Sequence, residues 1–198
     1  MKQYGIKLTF TKPILGTVPK DKDVYAAYIA GRAALDDEQL AEELASVETV
    51  ENKGWTGFHQ NGHGPFLYDY VIKGFFKDAC GMLRRAPDTG SKKLTAYRKV
   101  IDGLVFIEPR EIVLQVPDGE TTSVLERPLR AQTAQGERVC LARSDTCPVG
   151  TSIEFKVLVL GGVSKSLLTE WLEYGQLRGL GQWRNAGYGS FTYELTER

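Results

Sequence analysis

The sequence is short of histidine and cysteine, carries no surplus charge of either sign and has no long hydrophobic run. Each shortage closes off a class of function. Cys80, Cys140 and Cys147 form neither a C-x-x-C pair nor an even set, which excludes a disulfide framework and fits a reducing, cytoplasmic setting. No apolar stretch approaches the roughly 18 residues of a membrane span. "MKQYGIKLTF" opens directly on a strand-like alternation, so no signal peptide and no membrane partner are expected. The 25 basic and 25 acidic residues cancel, so an anionic partner must be met by a local patch. No Asp, Glu or Cys cluster completes a metal site around the two histidines, and neither metal nor cofactor is expected.

What is present is enough apolar material, 42% of 198 residues, for one sizeable core. No internal repeat or low-complexity linker divides the chain, so residues 1–198 are read as a single domain. Charge is distributed unevenly along it. Residues 36–51 hold Asp36, Asp37, Glu38, Glu42, Glu43, Glu48 and Glu51 with no basic residue. From Lys73 to Lys99 the balance reverses, with eight basic residues against Asp78 and Asp88. The second stretch supplies either one basic face or an ordinary solvated helix and loop.

Ile6, Leu8 and Phe10 alternate with polar residues as a half-buried strand. Asp36 is placed to cap an amphipathic helix carrying Leu40, Leu44 and Val47. "TGFHQNGHGPF" reads as loop by composition. After it, Asp69 is placed to cap a helix whose buried stripe is Ile72, Phe75, Phe76, Ala79, Cys80 and Leu83. Between about 104 and 160 the period changes to that of strands: "GLVFIE", "EIVLQV", "VLERPLRAQT", "RVCLARS" and "SIEFKVLVL". Ser164 then caps a helix with Leu167, Leu168, Trp171, Leu172 and Tyr174, and "YGSFTYEL" closes the chain as a strand. This order is that of an α+β fold of ferredoxin-like (RRM-like) type. An antiparallel sheet would carry its helices on one face, with insertions at about 11–66 and 108–150, the second an inserted β-hairpin region. The opposite sheet face would be free for a ligand.

The segment "GQLRGLGQWRNAGYGSF" joins the last helix to the last strand. Gly179, Gly181, Gly187 and Gly189 alternate there with Arg178, Trp183, Arg184 and Tyr188. Glycines let backbone N–H groups approach a phosphate beside the arginines, while the aromatics could stack on bases. The same pattern also fits a tight helix-to-strand turn with glycine caps and core aromatics. Both readings stand at this level.

"LRGLGQWRNAGYGSFTYEL" resembles the C-terminal signature of the RAMP superfamily of CRISPR-associated proteins. In that family an arginine commonly precedes a G-[FY]-G triplet, matched here by Gly187, Tyr188 and Gly189. Asn185 and Ala186 stand where the family more often has a basic residue. "GPFLYDYVIKGFFKDACGML" is similar to a segment of type III backbone subunits, in which a short strand enters a helix through a hydrophobic–Lys–Gly step. Ile72, Lys73 and Gly74 carry that step, with Lys77 one turn on. The resemblance implies a ferredoxin-like fold that binds an RNA guide and often repeats along it. It assigns nucleic-acid contact to Lys73, Gly74, Lys77, Arg178, Gly181, Trp183, Arg184, Gly187, Tyr188 and Gly189. The middle section, from "EIVLQV" to "RVCLARSD", matches no member of the family.

Three functions follow as expectations. The first is a non-catalytic subunit that binds RNA or single-stranded nucleic acid, repeated in a CRISPR-type or mobile-element complex, with copies of itself or other effector subunits as partners. The second is a metal-independent endoribonuclease using His59 or His63, since imidazole titrates near neutral pH and could move the proton of a ribose 2′-hydroxyl. The third is an oligomeric interaction protein without nucleic acid, suggested by the zero net charge and by Asn185. Asp21 and Asp23 in "VPKDKDVY" offer carboxylates after the first strand, although the segment is also ordinary turn chemistry. Arg127, Arg130, Arg138 and Arg143 on two consecutive strands could line a protruding hairpin, to clamp a backbone or to meet an acidic neighbour.

Overall fold

The computed structural model describes residues 1–23, 54–133 and 136–197, with side chains at all of these except 129–133 and 136–140. The acidic helix expected from Asp36, with Leu40, Leu44 and Val47, lies outside the described residues.

Strand β1 (Lys2–Phe10) alternates as its sequence requires, burying Tyr4, Ile6, Leu8 and Phe10 on one side. It lies inside a four-stranded sheet with β7 (Val105–Glu108), β11 (Ser152–Val159) and β12 (Phe191–Glu197). The strand order is β12-β1-β11-β7, and every neighbouring pair is antiparallel.

Four helices are seen among the described residues: α1 (Asp69–Leu83), α2 (Gly90–Lys93), α3 (Tyr97–Leu104) and α4 (Lys165–Arg178). Helix α1 buries Ile72, Phe75, Phe76, Ala79 and Cys80 of the stripe its 3.6-residue period predicts, while Leu83, the last of that stripe, is half-buried. Ser164 caps α4 by accepting from the Leu167 N–H at 3.2 Å. Phe76 meets Trp171 of α4 with ring centroids 5.4 Å apart, and Phe75 meets Phe191 edge-on at 5.9 Å. Gly175 allows this close approach, because a Cβ there would stand 2.5 Å from the ring tips of both Phe75 and Phe191. Helix α2 is tied to α4 by Glu170, whose carboxylate accepts from the Gly90 N–H at 2.7 Å and the Ser91 N–H at 3.0 Å.

Two local expectations need correction. Asp69 does not cap α1: the cap position is Tyr68, without a side-chain bond, and the Asp69 N–H donates instead to the Arg110 carbonyl at 2.8 Å. "TGFHQNGHGPF" is not a loop. It forms β4 (Trp55–Gly57) and a hairpin of β5 (His59–Asn61) with β6 (Gly64–Tyr68). The register that pairs His59 with Phe66 buries both, so aromatic burial overrides the polar composition. The basic stretch also holds α2 and the start of α3, helices of 4 and 8 residues that the sequence pattern does not announce.

β8 (Glu111–Val113) completes a sheet of order β5-β6-β8. β9 (Ser123–Thr133) and β10 (Gly136–Cys147) form a long hairpin. β10 also joins β2 (Ile14–Leu15), β4 and β3 (Val18–Pro19) in the order β2-β10-β4-β3. Asp145 anchors that sheet: it pairs with Lys20 at 2.7 Å and accepts from Trp55 Nε1 at 2.8 Å. Cys80 and Cys147 are free and buried, and burial pushes the Cys147 thiol up to about 12. No helix among the described residues is long and apolar enough to cross a membrane.

Candidate nucleic-acid interface

The glycine-rich segment folds back on itself and onto residues 11–15. Leu180 N–H donates to Gly189 O and Gly189 N–H to Pro13 O, both at 2.9 Å, while Thr11 N–H reaches Ser190 O at 2.8 Å. These crossings explain most of the glycines. A Cβ on Gly181 would stand 2.6 Å from Leu15 O, and one on Gly189 would collide with Leu180 O. Gly187 differs. It has a φ of 84° but faces open space.

What the turn presents outward is a groove of about 490 Å³ lined by Arg127, Arg178, Trp183, Arg184 and Asn185. Trp183 holds a left-handed φ of 52°, a strained conformation for a bulky residue, and its ring meets Tyr188 at 6.2 Å. Arg127 reaches in from β9: its guanidinium lies 5.2 Å from the Tyr188 ring and 5.9 Å from that of Trp183, and Nη2 donates to Tyr188 Oη at 3.0 Å. On the opposite wall, Arg184 Nη1 lies 2.8 Å from Asp78 Oδ2 on α1, and Arg178 Nε lies 3.7 Å from the same oxygen. Arg178 also donates to Asn185 Oδ1 at 2.6 Å. Three guanidiniums from three separate elements thus converge beside two aromatic rings with one carboxylate among them. Planar forks held in place suit phosphate oxygens, and a half-buried tryptophan offers a stacking face.

Lys73 and Lys77 lie one turn apart on α1, beside α3. Lys77 pairs with Asp102 at 2.8 Å; Lys73 donates to the Asp102 carbonyl at 3.3 Å and sits 4.9 Å above the Phe106 ring. Both partly serve to hold α3 against α1. Gly74 is exposed, and a Cβ there would meet nothing within 4 Å. Packing therefore gives no reason for glycine inside this helix.

The remaining candidates separate from the groove. His59 is 3% exposed, stacked on Phe66 at 5.5 Å and edge-on to Tyr68 at 4.6 Å, and burial lowers its pKa to about 4. A neutral imidazole inside an aromatic cluster has no access to a ribose hydroxyl. His63 is exposed at the β5–β6 turn, where its N–H donates to Asn61 Oδ1 at 2.8 Å. Asp21 accepts from the Asp23 N–H at 3.0 Å, the turn chemistry its sequence suggested.

Arg127 and Arg143 do not share a hairpin face. Arg143 pairs with Glu126, its cross-strand partner, at 2.6 Å, so Arg127 points to the other side. The side chains of Arg130 and Arg138 lie outside the described residues. Among the described residues, no three His, Cys, Asp or Glu gather where they could hold a metal ion.

The sheet face away from the helices does not suit a polyanion. Its shallow hollow of about 390 Å³ is lined by Lys7, Lys156, Glu108, Glu154 and Glu194. Lys7 stands between Glu154, 3.0 Å away, and Glu194, its partner on β12. The sheet face expected to be free for a ligand sets three carboxylates against two ammoniums, with Lys7 already paired to Glu154.

One contributor has no place in the sequence reading, and another is placed by it on a hairpin rather than in this groove. Arg127, one of the four hairpin arginines read as able to clamp a backbone, reaches the groove instead, 61 positions from Tyr188. Asp78, read merely as an exception in a basic stretch, is the residue that binds Arg178 and Arg184 together.

No protein-family model matches the chain, and no curated protein matches it in sequence. Its fold is similar to that of known structures. A chain in the "Cryo-EM structure of the Type III-B Cmr-beta bound to cognate target RNA" superposes with a TM-score of 0.57 at 10% identity, covering 99% of this chain. A chain of a "Type IV-B CRISPR Complex" gives 0.50 at 12% identity over 98% of this chain and 90% of its own. The protein spans 60% of the length of the type III-B chain. The shared feature is the α+β fold.

Proposed function

We propose that the protein is a non-catalytic subunit of a CRISPR-type or mobile-element nucleoprotein complex, binding RNA or single-stranded nucleic acid and repeating along it. The observation that carries this reading is the groove itself, where Arg127, Arg178 and Arg184 meet Trp183. Two further facts support it. The order β12-β1-β11-β7, with α1 between β1 and β7 and α4 between β11 and β12, supports reading the α+β fold as ferredoxin-like and of RAMP type. Chains of similar fold sit in type III-B and type IV-B complexes, and the first of these carries a target RNA.

In this reading Arg127, Arg178 and Arg184 take phosphates, Trp183 receives a base, and Gly187 lets the backbone of the strand pass close. Lys73, Gly74 and Lys77 extend the contact along α1. Other effector subunits or copies of this chain complete the assembly, in the cytoplasm, and the burial of His59 favours a binding role over endonucleolytic cleavage.

Purification with measurement of absorbance ratio and mass tests the reading. Co-purified RNA, released by high salt, is the expected result. A nucleic-acid-free oligomer whose mass does not change with salt would favour the interaction-protein reading instead.

A further inference from the structure

A second basic hollow lies on the far side of Asp78. It is about 750 Å³ in volume and is lined by Lys77, Asp78, Gly81, Arg85, Tyr97 and Arg98, among others. Residues 77, 78 and 81 follow helical spacing and Arg85 lies just beyond the helix, so the end of α1 forms one wall and the start of α3 the other.

The acids in this hollow are already engaged. Asp102 pairs with Lys77 at 2.8 Å, and Asp78 with Arg184 and Arg178 of the first groove. Arg85 and Arg98 are exposed and have no ion-pair partner among the described residues. Arg98 is nevertheless oriented: its Nε donates to Tyr97 Oη at 3.3 Å and its guanidinium lies 5.8 Å from the ring, with Arg84 at 5.1 Å. Gly81 leaves room for Tyr97, since a Cβ there would stand 2.8 Å from Oη. Ala96, just before Tyr97, has a φ of 48°, so this hollow, like the groove at Trp183, carries a strained left-handed residue.

Arg98, oriented by Tyr97, and the exposed Arg85, neither with an ion-pair partner among the described residues, match a phosphate better than a neutral or cationic ligand. Asp78 joins the two hollows, as it lines the second and binds the arginines of the first. A polymer of phosphates can occupy both, whereas a single phosphate fills one. We infer that the Arg85–Arg98 hollow is a second backbone subsite, taking the same single strand as it leaves the Arg127, Arg178 and Arg184 groove across Asp78. This inference rests on the proposed function and adds the path and length of the bound strand.

Binding of single-stranded RNA of about 5 and about 12 nucleotides, lengths that bracket one subsite and two, tests it. The double variant Arg85→Gln, Arg98→Gln is expected to bind the longer RNA roughly tenfold more weakly at low salt, the scale of two lost phosphate contacts. Its log–log salt slope should fall by about 1.4, at roughly 0.7 per contact with a single strand. Affinity for the shorter RNA and the melting transition should stay as in the wild type. Gly81→Ala, which displaces Tyr97 without removing charge, should reproduce the length-dependent loss. Unchanged affinity for the longer RNA, or equal losses at both lengths, overturns the subsite while leaving the proposed function standing. Failure of the wild type to bind RNA of either length overturns both.

Discussion

Arg184 of the glycine-rich segment and Asp78 of α1 meet at 2.8 Å across 106 residues of chain, and Arg178 shares the same carboxylate oxygen. One acid therefore orients two arginines while cancelling part of their charge.

Replacing Asp78 by Asn keeps an acceptor for Arg184 and removes the negative charge. RNA affinity should rise and its salt dependence should steepen, because the groove gains one net positive charge. The pair is partly exposed, so the loss of stability should stay under about 1 kcal/mol. Salt titrations and thermal melts of wild type and Asp78→Asn measure both effects. A fall in affinity would show that orientation outweighs charge.

The two glycines around Tyr188 should behave differently. Gly189→Ala places a methyl group against Leu180 O and should destabilise the fold by more than the roughly 1 kcal/mol of a positive-φ penalty alone. Gly187→Ala meets no atom, so it should cost about that penalty and no more. RNA affinity of the folded Gly187→Ala protein should nevertheless drop, as the methyl group faces the path of the strand. Unchanged affinity would take Gly187 out of the interface.

Gly74→Ala should stabilise the protein by up to about 1 kcal/mol, since an exposed helical glycine is the poorer helix former and the added methyl group meets nothing. If a strand passes over this part of α1, the same change weakens RNA binding. Opposite signs in melting temperature and affinity are the expected signature, and a gain in both would leave Gly74 without a ligand role.

His59 makes stability depend on pH. Its folded pKa of about 4 lies below the ordinary 6.5, so the unfolded state binds the extra proton between these values. The stability is fully present above about pH 6.5 and is lost progressively as the pH falls toward 4. At most this amounts to about 3 kcal/mol. Thermal melts across that range should show a steeper decline for the wild type than for His59→Phe, which has no group to protonate. Identical curves would contradict the buried, neutral assignment.

Legibility in the sequence followed the range of the interaction. Local periodicity revealed Tyr4 to Phe10 as a strand and Ile72 to Cys80 as a helix face, and the Ser164 cap was visible because its bond spans three residues. The β5–β6 hairpin was hidden because Gly and His dominate it while its burial depends on a cross-strand aromatic pair. The glycine-rich segment was recognisable as unusual, but not how its glycines divide. Gly181 and Gly189 are occupied by the chain's own backbone, and Gly187 is open. Contacts such as Arg127 to Tyr188, or the shared carboxylate of Asp78, join distant segments, and no spacing rule reports them.

The salt dependence of RNA affinity, measured on the wild type and on Arg127→Gln, tests the central claim most directly. The wild type should give a straight line of log affinity against log salt with a slope of about −2 or steeper, from three arginine contacts at roughly 0.7 each. Arg127→Gln should bind more weakly and flatten the slope by about 0.7. An absence of binding at low salt, or an affinity indifferent to both salt and Arg127, would contradict a phosphate-binding groove at the glycine-rich segment.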